Sequence, residues 1–163
     1  MKIHRTTFGF GILLLFVGNT FAQALPAKVL AHLKTSYAGY KLYAGDPICN
    51  SRAIVSGRFN GDGKADYAVM FKKSGNGYVI AFLSDGRNYQ QHMLESGPSE
   101  NLNGTFLLVG RKGARYAEIV GEAEDPRVTQ RLKYDAPEGG GCEASSYFWI
   151  YGNGTFRRAF TSD

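Results

Sequence analysis

Cysteine occurs only twice in this sequence, histidine three times, tryptophan once and proline five times. Two cysteines and three histidines are too few for a disulfide-dense scaffold or a multi-metal centre. Scarce proline and 21 glycines point to frequent tight turns instead of a stiff linker. A strong charge of one sign is also missing: 19 basic residues stand against 14 acidic ones, scattered along the chain. Nucleic-acid binding wants a basic patch or stripe, and none is visible. No apolar run reaches the roughly 20 residues that cross a membrane as a helix. What remains is 44% hydrophobic and 20% charged, which excludes a disordered tail and, without a glycine period, a collagen-like fibre.

The first segment reads as an address. Lys2 and Arg5 supply a positive start, Phe8 to Phe16 an apolar stretch, and Ala22 and Ala24 small residues for cleavage. Residues 1–22 are therefore expected to be a signal peptide, cut after Ala22 or Ala24, and residues 23–163 a single mainly-β domain with an N-terminal helix. Without Lys2 and Arg5 the balance is 17 basic to 14 acidic residues, a mild +3. The mature chain is expected to be periplasmic or secreted, with no membrane partner after cleavage and no nucleic-acid partner. In an oxidising compartment Cys49 and Cys142 form an even pair, and one disulfide is the natural reading. Closing so long a loop contributes on the order of 4 kcal/mol in the chain-entropy model.

The fold class expected is α+β, mainly β: a helix packed on an antiparallel, hairpin-built, propeller-blade-like sheet. Leu25 to Tyr37 has helical spacing, with Val29, Leu30, Leu33 and Tyr37 on one face, Pro26 in the first turn and Gly39 at the stop. His32 sits beside that stripe as a surface or boundary residue. Beyond Pro47, β-rich runs are expected at Arg52–Phe59, Tyr67–Lys72, Tyr78–Leu83, Tyr89–Leu94, Thr105–Gly110, Tyr116–Gly121, Thr129–Tyr134, Ser146–Tyr151 and Thr155–Thr161. The breaks are Asn-Gly and Asp-Gly pairs at positions 60–63, 76–77, 85–86, 103–104 and 153–154, which tolerate the positive φ of hairpin turns. Asp135–Gly141 reads as a loop, its three glycines a flexible approach to Cys142.

One stretch carries chemistry: Ser56-Gly57-Arg58-Phe59-Asn60-Gly61-Asp62-Gly63-Lys64-Ala65-Asp66-Tyr67-Ala68-Val69. It resembles the FG-GAP (VCBS-type) repeat, whose loop reads Asp-x-Asn-x-Asp-Gly-x-x-Asp before an apolar strand. The resemblance implies calcium ligation by the side chains of Asn60, Asp62 and Asp66 and by the carbonyl of Lys64. No second copy is visible, which with the chain's length excludes a full propeller. The first ligand position, normally Asp, is Arg58, which weakens any calcium site because the ion needs six to eight oxygens and negative charge. The expectation is a calcium-free loop, with the Arg58 guanidinium set between Asp62 and Asp66, and no other cofactor.

For catalysis, a nucleophile needs a base and an orienter. His32 and His92 lie in no such motif, and solvent-facing strand alternation accounts for His92. Glu118, Glu122, Glu124 and Asp125 are the available carboxylates, and the last three read more simply as an acidic turn. Tyr147, Trp149 and Tyr151 share one face of an aromatic strand, which serves either as core or as a recognition surface. The function these observations imply is a non-catalytic exported binding module, with a protein or glycan partner. The alternatives are a calcium-stabilised adhesion module and, behind it, a small secreted hydrolase.

Overall fold

The computed structural model describes residues 24–119 and 127–161. The expected signal peptide, residues 1–22, and the expected acidic turn Glu122-Ala123-Glu124-Asp125 lie outside the described residues. Helix α1 (Ala27–Ser36) is followed by strands β1 (Lys41–Leu42), β2 (Ile54–Gly57), β3 (Asp66–Lys73), β4 (Asn76–Ser84) and β5 (Tyr89–Pro98). Then come β6 (Thr105–Gly110), β7 (Arg115–Ile119), β8 (Arg127–Arg131), β9 (Ala136–Gly141), β10 (Ser146–Gly152) and β11 (Thr155–Thr161). Among the described residues the fold is mainly β with one α-helix, and the strands form two antiparallel sheets, not one. The first runs β1-β3-β4-β5 with β2 also on β3, and the second runs β6-β9-β10-β11-β7-β8.

A ten-residue helix is marginal alone, and α1 lacks a side-chain N-cap. Packing supplies what local structure does not: Val29 and Leu33 are fully buried against Val69, Phe71, Ile80 and Phe82 on one face of the first sheet. Pro26 sits just before the helix, not in its first turn, and its carbonyl accepts the Leu30 N–H at 3.0 Å. The opposite face of that sheet, with Ala68, Met70, Val79 and Leu83, meets Leu107 and Trp149 of the second sheet, and Val55 and Phe59 complete this central core. A third, smaller cluster of Tyr116, Leu132, Ala136, Phe148 and Ala159 covers the outer face of the second sheet. The layers are therefore helix, sheet and sheet.

Two local expectations need correction. The β3–β4 turn is made by Ser74 and Gly75, with φ of 49° and 80°, one step before the Asn76-Gly77 pair. Asn76 and Gly77 lie within β4, and a Cβ on Gly77 would come 2.6 Å from Leu102. The supposed loop over Asp135–Gly141 contains β9, which pairs with β6 on one side and β10 on the other. Its glycines are there for close approach: a Cβ on Gly139 would lie 2.4 Å from the Trp149 ring. Gly141 leads directly into Cys142, which forms a disulfide with Cys49 (Cα–Cα 5.7 Å, 93 residues apart in sequence). The approach to that disulfide is thus an interior strand, not a flexible linker.

Candidate functional site

The loop that resembles a calcium site is closed by its own backbone. Asn60 Oδ1 accepts the Asp62 N–H at 3.0 Å, and Asp62 Oδ1 accepts the Lys64 N–H at 2.9 Å. These are successive side-chain turns of the kind Asn and Asp favour. Asp66 is fully buried. Its Oδ2 accepts the Phe59 N–H at 2.7 Å and its Oδ1 the Ser84 N–H at 2.8 Å. Burial pushes the Asp66 carboxyl above its usual range, against the downward pull of the backbone N–H groups of Ser84, Phe59 and Asn60. This carboxyl joins the β2–β3 loop to the end of β4.

The cation in the loop is Lys64, not Arg58. Lys64 Nζ lies 3.4 Å from Asp62 Oδ2 and donates to the Asp85 carbonyl at 2.7 Å, which ties the loop to the β4–β5 connection. Arg58 engages through its backbone N–H, donated to Asp135 Oδ2 at 3.3 Å, while its guanidinium reaches neither Asp62 nor Asp66. With both oxygens of Asp66 bound to backbone, the loop offers Asn60, Asp62 and the Lys64 carbonyl. Those three residues supply at most four oxygens and one negative charge beside an ammonium group, short of the six to eight oxygens a calcium ion takes. Among the described residues no cluster of three His, Cys, Asp or Glu groups stands in metal-binding range.

The face carrying Tyr147, Trp149 and Tyr151 belongs to the interior. Trp149 is 2% exposed, and Tyr147 and Tyr151 are half-buried against the same central core. The recognition-surface reading is therefore overturned for Trp149, because the second sheet turns this face toward the first. Tyr147 donates to Glu95 Oε2 at 3.0 Å, and Arg158 holds the same oxygen at 3.1 Å. Burial, reinforced by Glu95, pushes the Tyr147 phenol up to about 12. His92 also turns inward, contrary to the solvent-facing expectation. Its ring lies edge-on to Tyr151 and Phe156 at centroid distances of 5.6 and 5.5 Å, and its buried Nε2 has no hydrogen-bond partner. Burial lowers its pKa. His32 bonds Gln91 Oε1 across to β5, and so ties helix to sheet.

One concavity lies elsewhere, beside β2 and β6. A cleft of about 460 Å³ is lined by Asn50, Arg52, Val55, Ser56, Leu108, Val109, Arg111 and Glu138. That size falls in the range of small-ligand sites. Its wall is held firmly: the Arg52 N–H donates to the Leu107 carbonyl at 3.1 Å, and Ser51 Oγ accepts the Leu107 N–H at 2.9 Å. The disulfide anchors the same segment at Cys49. Arg111 reaches Asp135 Oδ2 at 3.4 Å, and Asp135 also accepts the Lys112 N–H at 3.1 Å. Glu138 is half-buried, and burial raises its pKa, partly offset by the Ser146 hydroxyl at 3.4 Å. A second groove, about 280 Å³, runs over Phe59 between Tyr134 and Tyr151.

None of Arg52, Arg111 and Glu138 stood out in the sequence. They sit at a strand approach, just past a strand end and within a glycine-rich strand; the pairing of β6 with β9 and the Arg52 N–H bond to the Leu107 carbonyl bring them to one cleft. Glu118 falls in β7, remote in the sheet order from the cleft strands β6 and β9. No helix among the described residues is long and apolar enough to cross a membrane, and the disulfide is compatible with an exported protein. Comparison with family models, curated proteins and solved structures finds no match to this chain.

Proposed function

We propose that this protein is an exported, non-catalytic binding module whose ligand enters the cleft between β2 and β6. The observation that carries the reading is the cleft itself, whose lining joins Val55, Leu108 and Val109 with the polar groups of Asn50, Arg52, Ser56, Arg111 and Glu138. A concave surface that mixes apolar side chains with a few polar groups is the usual setting of a ligand site. The residues lining it grip and orient; they do not assemble a nucleophile with a base and an orienter. The leader-like N-terminus and the disulfide support export. The β2–β5 meander is read as an isolated, blade-like FG-GAP-type unit in which Lys64 takes the place of the ion, so the module works without calcium.

The test is amide NMR on the oxidised mature chain, titrated with a panel of amino acids, dipeptides, acidic and neutral monosaccharides and inorganic phosphate. Saturable shifts clustered at Asn50, Arg52, Ser56, Leu108 and Val109 are expected from at least one probe. A panel that moves no cleft amide, or moves only those of the second groove, overturns the reading.

A further inference from the structure

The β2–β6 cleft runs along the edge of a strand. Its lining includes both Leu108 and Val109, neighbours whose side chains point to opposite faces of the second sheet, so what they share toward the cleft is main chain. Hydrogen-bond alternation says which groups these are. Thr105 and Leu107 turn their carbonyls away from β9, to the N–H groups of Asp46 and Arg52 at 3.1 Å each, and the Leu107 N–H is donated to Ser51 Oγ at 2.9 Å. Alternate residues of an antiparallel strand repeat that direction. Val109 therefore also faces its N–H and C=O away from β9, where the residue opposite it, Pro137, has no N–H to give. Across the cleft, the Ala53 carbonyl accepts the Met70 N–H at 2.8 Å. By the same alternation the N–H and C=O of Ile54 turn away from β3, to the side on which the Arg52 N–H reaches β6. Yet β2 and β6 are not paired with each other.

The seam between them is closed at both ends and open in the middle. Arg52 and Leu107 close one end. Asp135 closes the other, its Oδ2 accepting the Arg58 N–H at 3.3 Å and its Oδ1 the Lys112 N–H at 3.1 Å. Between them the edge from Leu107 to Lys112 runs roughly 16 Å at about 3.3 Å per residue. Backbone groups are strong hydrogen-bonding groups, and an unpaired strand edge is a template for another chain.

Resting on the binding-module reading of this cleft, we propose that its ligand is an extended segment of another protein, which adds a strand to the edge of β6. The segment's main chain donates to the Val109 carbonyl and accepts the Val109 N–H. Its side chains alternate as those of the sheet do, one set beside Val109 and the other beside Leu108. That alternation accounts for a lining that spans both faces of the sheet. The pinned ends leave little of the protein to order on binding. A monosaccharide or a phosphate lacks the strand-like succession of N–H and C=O groups.

The experiment is amide NMR with calorimetry on the oxidised mature chain, and the probe is acetyl-Val-Thr-Val-Thr-amide, a blocked peptide of strand-forming residues. Without peptide, the Val109 N–H is expected to exchange with solvent faster than those of Leu108 and Gly110, which face β9. With peptide, the Val109 amide is expected to shift and its exchange to slow roughly 10-fold or more. A counterpart N-methylated at all four residues keeps every side chain but loses those N–H donors, and is expected to bind roughly 10-fold or more weaker. Val109→Pro removes the edge donor without touching a bond to β9 and is expected to weaken the peptide by a similar factor. A thermal melt checks that this variant folds, and the N-methylated peptide decides the matter if it does not. Equal binding of the two peptides overturns the proposal, as does a Val109 N–H that exchanges as slowly as Leu108 before peptide is added. So does silence from the peptide while a monosaccharide or phosphate shifts the cleft amides; in that case the binding-module reading stands and the ligand class falls. If no probe shifts those amides, both fall.

Discussion

The first sheet is covered on both faces, by α1 on one side and by the second sheet on the other. The second sheet has a deep inner face and an outer face covered only by a small cluster from its own strands and turns. The contrast is visible in the strands. β3 and β4 carry the near-continuous apolar runs Ala68-Val69-Met70-Phe71 and Val79-Ile80-Ala81-Phe82-Leu83, all buried, as strands with two hidden faces do. In the second sheet Phe148 and Trp149 point to opposite faces, flanked by half-exposed tyrosines, and the second half of β9 is three glycines, of which Gly139 makes room for the Trp149 ring. The first sheet is a scaffold, and the second is the partner that shapes the cleft against it.

The sharpest test of that contrast is a pair of truncations. Phe71→Ala removes a fully buried ring between α1 and the first sheet and is expected to cost about 3–5 kcal/mol in urea unfolding. Phe148→Ala, on the shallow outer face, is expected to cost less; equal costs would erase the distinction between the sheets. Next in size is the disulfide. Replacing Cys49 and Cys142 together by Ser is expected to lower stability by about 2–4 kcal/mol, read from the urea midpoint, and to loosen the Arg52 wall of the cleft.

Gly139→Ala probes the second sheet directly. The added methyl group meets the Trp149 ring, and a cost of about 1–3 kcal/mol is expected from overpacking. Combining it with Trp149→Leu should cost less than the sum of the two single changes, since the two positions share one space. Strict additivity would show that the ring does not rest on this strand.

The junction of the sheets at His92 is expected to respond to pH. Its folded pKa lies below the ordinary 6.5, so the unfolded chain binds more protons as pH falls. The stability it contributes is fully present above about 6.5 and is lost as pH drops from there through the lowered folded value. Charged or titratable groups near this junction are Glu95, Tyr147 and Arg158, already joined to one another. Urea midpoints at pH 7.5 and 5.0 should fall less between the two conditions in His92→Leu than in the native chain, and an unchanged difference would refute the assignment.

The smallest effect belongs to the loop of the first sheet. Lys64→Gln removes a partly exposed ion pair, expected to be worth about 0.2–1 kcal/mol, and a donor to the Asp85 carbonyl. Millimolar calcium should leave the melting temperature of the native chain unchanged. A rise of several degrees would return the ion to this loop and make the Lys64 reading wrong.

What the sequence determined by itself was local. Short-range patterns were enough to place α1, most of the strands and the turns at residues 60–63, 85–86, 103–104 and 153–154, because turn chemistry and side-chain period act over a few residues. Likewise, two cysteines left one possible pairing. Tertiary structure decided everything that depends on which surface meets which. It divided the strands into two sheets, made a strand of Ala136–Gly141 by giving its backbone two partners, and turned the Trp149 face inward. It gave the loop cation to Lys64 because the Asp85 carbonyl lies within reach, a proximity that no spacing along the chain encodes. It also gathered Arg52, Arg111 and Glu138 into one cleft. Those residues are distant in sequence and individually ordinary, and only the packing of one sheet edge beside another makes them neighbours.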